Sequence, residues 1–380
     1  MDLYLYLGLL FWHIIRHLFR PDRPKASEDP RGDLKVFPDE IILTIADHLP
    51  GSSLALLGLT CRPFHQLFSR YMPTRTLVPR REQENFWQIL ERDIGNLYFC
   101  HECVKPHRWD TWGKRLGYAA LRLSVGPCVF RWRYSCHPQP ELIIPFPYAH
   151  LIINRHLYGP LHGLPVSKVE QNACTTRLEN GGRLRKTVQG RIINDELFLK
   201  KSLEIWHVGG EDLQLREIIS RQYFNVCKHA WIGPNSFDFY AIPEVSRPLE
   251  WFRACKDALG SCYDCLTDYS LSIAWGEAEG QQKGWLVSIT SYHQLGSCRS
   301  PHDWKWSMAS DESTPWHKPR CQRTGHEPGV VRQRWQKADG IDCVLGGKFL
   351  GPDARRSNWC APGSPPCSWS SICPIDHVDT

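Results

Sequence analysis

The sequence predicts an α+β protein in which a small N-terminal helical unit precedes a larger, mixed, β-leaning body. Three observations carry this expectation. Apolar residues recur at helical spacing in three short, punctuated runs between Phe37 and Phe68. Farther on, short apolar or alternating runs bounded by Gly, Pro and Asn read as strands. At 380 residues the chain exceeds what a single core usually supports, so two or three packed units are expected. Hydrophobic content of 42% and aromatic content of 12% supply the apolar area that a folded chain needs. The formal charge of +6 is small for this length, and basic residues are interspersed with acidic ones, which argues against a nucleic-acid partner.

Residues 1–20 form an apolar to amphipathic leader. Leu3 to Trp12 is almost wholly apolar, after which His13, Arg16 and His17 alternate with Ile14, Ile15, Leu18 and Phe19. A helix is expected. It lacks the basic start and cleavage site of a secretory signal, and its ionisable residues suit a membrane span poorly. Tyr4, Tyr6, Trp12 and the cationic end fit contact with a membrane surface through residues 3–19, or packing against a partner. Residues 21–35, rich in Pro, Asp, Arg and Lys, read as a solvated linker.

From Phe37 the chain reads FPDEIILTIADHLPGSSLALLGLTCRPFHQLF. Pro38 fits a first helical position, and Asp39 and Glu40 complement the positive end of the helix dipole. Ile41, Ile42, Ile45 and Leu49 then share a helical face, and Pro50-Gly51 ends the run. Ser52 or Ser53 can cap a second helix carrying Leu54, Leu56, Leu57 and Leu59, and Pro63 can open a third through Phe64, Leu67 and Phe68. Helices this short cannot bury all these side chains among themselves, so a partner surface is expected. A three-helix piece of a core is the plainer alternative.

Residues 36–78 strongly resemble the F-box. Its pattern of Leu-Pro-x-Glu-Ile, a Leu-rich second helix ending in Cys-Arg, and a following aromatic is met by Phe37 to Ile41, Cys61-Arg62 and Phe64, with Phe37 in place of the first Leu. The resemblance implies that Phe37, Pro38, Ile41, Ile42, Ile45, Leu54, Leu57 and Cys61 face the Skp adaptor or support the face that does.

Sixteen cysteines demand an explanation from spacing. Cys100-x-x-Cys103 places two thiolates at two corners of one tetrahedral Zn²⁺ site, and Cys128 and Cys136, with His107 and His137 as substitutes, can complete it. Buried thiols would satisfy the same spacing. A thioredoxin-like redox pair would too, although no βαβ pattern surrounds it. Cys227-x-His229 and Cys262-x-x-Cys265 form a second candidate set, with Cys255 as a competing ligand. Zinc held there would supply folding energy to a body with many loops.

Within the body, residues 79–306, Phe86, Trp87, Ile89 and Leu90 suggest an amphipathic helix, while Tyr148 to Asn154 and Arg191 to Ile205 read as strands. Gly159-Pro160 and His162-Gly163-Leu164-Pro165 are turn chemistry, so His156 and His162 read as structural. Four stretches also resemble a family of fungal F-box proteins with a cysteine-rich C-terminal body. They are LYFCHECVKPHRW (Leu97 to Trp109), LIINRHLYGPLHGLP (Leu151 to Pro165), SCYDCLTDYSLSI (Ser261 to Ile273) and LGSCRSPHDWKW (Leu295 to Trp306). Pro106 stands where that family often has Leu, which leaves His107 available as a ligand.

Residues 307–380 are rich in Ser, Pro, Gly and Arg without periodicity and are expected to be largely disordered, with Cys360, Cys367 and Cys373 unevenly spaced. The chain has no phosphate-binding loop, dinucleotide Gly fingerprint, His-Glu-x-x-His pair or Gly-x-Ser-x-Gly elbow. The expectation is therefore a non-catalytic, cytoplasmic or nuclear subunit of a Skp-cullin-F-box ubiquitin ligase. Its F-box would dock on the Skp adaptor and the cullin scaffold, and its body would present an undefined substrate protein. The alternative is a zinc-stabilised scaffold that binds the Skp adaptor without delivering substrates.

Overall fold

The structure, a computed structural model, describes residues 37–68, 80–109, 133–135, 143–178, 182–208, 212–222, 224–229, 231–232, 252, 254–262, 265–277, 283–310 and 327–341. The leader, the linker, Cys128, Cys136, His137 and the last three cysteines lie outside these residues. The fold is α+β, with helices and antiparallel sheets, and the chain divides after Arg108 into two compact units.

In the first unit the three expected helices are α1 (Asp39–Asp47), α2 (Gly51–Thr60) and α3 (Arg62–Phe68). Pro38 sits at the N-cap of α1, one position earlier than the sequence suggested. Ile42, Ala46, Leu54, Phe64 and Phe68 close a small core among them. Neither serine caps α2, whose N-cap is Pro50. The orphan N–H of Ser52 instead donates at 3.0 Å to Glu82 Oε2 on α4 (Arg80–Asp93), a helix distant in sequence. Ala55 and Leu59 of α2 pack with Phe86, Trp87 and Leu90 of α4 and with Phe99. Phe99 lies on β1 (Leu97–Cys100), which pairs with β2 (Lys105–Arg108). The helix and hairpin at 80–108 lie in the same compact unit as the three helices.

The second unit is built on a six-stranded antiparallel sheet, preceded in the chain by a short pair, β3 (Arg133–Ser135) and β4 (Ile143–Pro145). In the sheet β5 (Gln171–Arg177), β6 (Arg183–Ile193), β7 (Glu196–Val208), β10 (Cys255–Ser261), β11 (Thr267–Glu277) and β12 (Lys283–Gly296) take the order β10-β11-β12-β7-β6-β5. The run Arg191 to Ile205 is thus two strands joined at Asn194-Asp195, whose φ values of 51° and 59° are those of a tight hairpin turn. One face, carrying Ile205, Leu271, Ile273 and Val287, packs against Leu215, Ile218 and Ile219 of α6 (Asp212–Gln222). A small pair, β8 (Phe224–Asn225) and β9 (Trp231–Ile232), follows α6.

Tyr148 to Asn154, expected as a strand, is the middle of helix α5 (Phe146–Tyr158). Its residues from Ala149 to Asn154 are all buried, so no polar stripe marks the helical period. Pro147 in the first turn is the signal that favours helix. The following turn needs glycine at 163, where a Cβ would lie 1.8 Å from the carbonyl oxygen of Leu151. Of residues 307–380 the structure describes 307–310 and 327–341. Helix α7 (Trp304–Ala309) buries Trp306 against Phe146, and α8 (Val330–Ala338) buries Val331 and Trp335 against Phe198, Leu266 and Tyr292. No helix among the described residues is long and apolar enough to cross a membrane.

Candidate metal centres

Two clusters bring cysteine and histidine ligands together. In the second unit Cys227, His229, Cys262 and Cys265 place their ligand atoms within 4.8 Å of one another, the set that the spacing singled out. Cys227 and His229 sit on the bend between β8 and β9. Cys262 and Cys265 sit in the turn between β10 and β11, closed by Cys262 N–H to Thr267 O and Thr267 N–H to Cys265 O, each 2.8 Å. Cys262 Sγ lies 3.7 Å from His229 Nδ1, close to the sulfur–nitrogen edge of a tetrahedron of ligands around one ion, about 3.6 Å for bonds of zinc length. Cys255, the competing ligand, is outside the cluster and directs its thiol to the carbonyl of Leu271.

The thiols of this cluster shift one another's ionisation. The three cysteines are buried. Burial opposes ionisation of Cys227, yet hydrogen bonds from Cys262 and Cys265 and the neighbouring His229 hold its thiol well below the usual range. Cys262 is pushed well above that range by its bonds to Cys227 and Cys265, reinforced by burial. Cys265 is pushed up by Cys227 and by burial, although Cys262 and Thr267 oppose the shift. A divalent ion held by the four residues would favour ionisation of all three thiols.

The first unit holds Cys100, Cys103 and His107 within the same 4.8 Å limit. Cys100 ends β1, Cys103 lies in the turn where Val104 takes a φ of 55°, and His107 is on β2. Cys103 Sγ is 3.0 Å from His107 Nε2. Hydrogen bonding to Cys103 and burial push the Cys100 thiol up to about 12, against the opposing pull of His107. These are three ligands of a site that can hold a metal ion, and the histidine substitute is one of them. No disulfide joins these cysteines, nor Cys61, Cys255 or Cys298.

Around the Cys227 cluster lie groups that spacing did not reveal. Thr267 Oγ1 is 3.2 Å from Cys265 Sγ and 3.1 Å from His293 Nδ1, and Ser291 Oγ is 2.8 Å from His293 Nε2. Lys201 Nζ donates to Val226 O at 3.2 Å, beside Cys227. Thr267, Ser291 and His293 are buried polar residues that interrupt the apolar alternation of β11 and β12, and that pattern was the available signal.

The eight residues assigned to the helical face divide in two. Phe37, Pro38, Ile41 and Ile45 are exposed, at 51%, 47% and 45% for the three large apolar side chains Phe37, Ile41 and Ile45. Ile42 and Leu54 are buried in the unit's own core, with Leu57 and Cys61 packed partly against it. His156, for its part, pairs with Asp195 at 2.9 Å, both exposed, across the end of α5 and the β6–β7 turn. Comparison of the chain with protein-family models, with curated proteins and with solved structures returns no match.

Proposed function

We propose that residues 36–78 are an F-box and that the protein is a non-catalytic recruiting subunit of a Skp-cullin-F-box ubiquitin ligase. The observation that carries this reading is the outward stripe of Phe37, Ile41 and Ile45 on and beside α1, in the positions that the F-box pattern assigns to the adaptor contact. Apolar side chains left in water on so small a unit are stabilised when a partner covers them, by up to about 1.5–3 kcal/mol each. We read the two Cys/His clusters as structural Zn²⁺ sites. Their thiol-rich donor sets suit zinc, and the ion would supply folding energy rather than chemistry. The body would then hold a target protein near the ubiquitin-carrying enzyme, and the subunit would act through proximity.

The test is affinity purification of the full chain and of Ile41→Asp from extracts with the proteasome blocked. Ile41 is half exposed, so the substitution leaves the three-helix core intact. It would bury an unpaired carboxylate in the docked state and is expected to weaken adaptor binding by at least about 100-fold. Recovery of the Skp adaptor and cullin with the intact chain alone supports the reading. Equal recovery with Ile41→Asp removes the docking face, and recovery of the adaptor without cullin favours a zinc-stabilised scaffold that delivers no substrate.

A further inference from the structure

His293 and Thr267 face each other across the β11–β12 ladder, and Ser291 lies two residues from His293 on the same face. On these two strands the face is otherwise apolar, with Tyr269, Leu271 and Ile273 on β11 and Val287 and Ile289 on β12, while β7 sets Lys201 directly opposite Ser291. Thr267, Ser291 and His293 are all buried, His293 being 1% exposed. Buried polar groups cost about 1–3 kcal/mol each when unpaired, so their arrangement requires a full set of partners. The distances provide one, and the chain of contacts ends on a metal ligand.

We propose that Thr267 and His293 are positioning residues for the Cys227 centre, through a directed relay in which Ser291 O–H donates to His293 Nε2, His293 Nδ1–H donates to Thr267 Oγ1, and Thr267 O–H donates to Cys265 Sγ. This rests on the reading of that centre as a metal site. A metal-bound thiolate only accepts hydrogen bonds, so it fixes the direction of the Thr267 hydroxyl. The hydroxyl's one proton is then committed, and Thr267 Oγ1 can only accept from the imidazole. Burial and the Lys201 cation, against the smaller pull of Cys227, push His293 well below the usual imidazole range, which favours the neutral ring with one donor and one acceptor nitrogen. The ring is held from its side by Tyr134, whose centroid is 5.6 Å away at 74°. A free thiol at Cys265 would release this polarity, since its proton can be donated to Thr267 instead.

Outer hydrogen bonds of this kind orient metal ligands, and their loss typically weakens metal affinity by about 10–100-fold. The experiment uses the full-length, zinc-loaded chain with a competing chelator, following the zinc that is absent from Cys262→Ser. Thr267→Val and His293→Gln are expected to weaken its retention by about 10–100-fold. His293→Asn, whose amide N–H can stand where Nδ1–H stood, is expected to retain most of the affinity. In the wild-type protein, ¹⁵N-histidine spectra are expected to show His293 protonated at Nδ1 when zinc is bound. Lack of zinc at this centre in the wild type would overturn the metal reading and the relay with it. Bound zinc with an Nε2–H tautomer, or with unchanged retention in folded Thr267→Val and His293→Gln, would overturn the relay alone. The tautomer decides the matter should those variants fail to fold.

Discussion

Glu82 does for α2 what α2 cannot do for itself. With Pro50 as its N-cap the helix has no local side-chain acceptor, and an N–H of its first turn would otherwise be unpaired. The Glu82 carboxylate, 3.0 Å from Ser52 N, supplies the acceptor and places a negative charge at the positive end of the helix dipole. The Ser52 backbone N–H, then its hydroxyl, with Arg81 adding a smaller pull, hold the Glu82 carboxyl below its ordinary value. A depressed carboxyl stabilises the folded state fully above its unfolded value of about 4.3, and the contribution is lost as pH falls through the folded value. Glu82→Ala is therefore expected to lower the urea midpoint of this unit at pH 7, with the gap from wild type narrowing as pH drops below about 4. A gap that is absent at pH 7, or that does not change in acid, would show that Glu82 is not the cap.

The same dependence on distant partners governs whole elements, and it sets what could be read in advance. Helices α1, α3 and α4 were legible because Ile42 with Ala46, Phe64 with Phe68, and Phe86 with Leu90 give each a one-sided apolar stripe, α2 because Pro50-Gly51 and Arg62-Pro63 bracket its leucine-rich run, and the metal ligands because Cys-x-x-Cys is fixed by local geometry. Helix α5 was not, because its middle is buried on every side. Helix α8 was not, because the partners that hold it are remote. Asp268 on β11 accepts from the N–H groups of Gly329 (3.0 Å) and Arg332 (2.9 Å), taking the N-cap role from across the sheet. Arg191 on β6 lies 4.7 Å over the Trp335 ring and pairs with Asp339 at 2.5 Å. The relay behind Cys265 was hidden for a similar reason, since it depends on the register that sets Thr267 opposite His293. Trp335, 1% exposed, is the anchor of α8, and Trp335→Ala is expected to cost about 3–5 kcal/mol and to open residues 327–341 to proteolysis. Unchanged stability and cleavage would mean that α8 is not held on the sheet.

At the scale of the whole chain, each compact unit has its own apolar core and its own Cys/His cluster, so unfolding is expected in two transitions rather than one. In the second unit the cluster ties the β8–β9 bend to the β10–β11 turn, two segments more than thirty residues apart in sequence, so an ion there closes a long loop as well as satisfying three buried thiols. A ligand that binds only the folded state stabilises it by about 4 kcal/mol when its free concentration is 1,000 times the dissociation constant. For a unit of this size that is a shift of about 10 °C. Stripping zinc with a chelator, or substituting Cys262→Ser, is therefore expected to lower the melting of the second unit by about 10 °C or more, with the variant retaining one zinc fewer than the wild type. Scanning calorimetry paired with metal analysis reads both quantities at once. If Cys262→Ser keeps its zinc and its melting temperature, the four residues are buried thiols and an imidazole packed together, and the fold of the second unit stands on its apolar core alone.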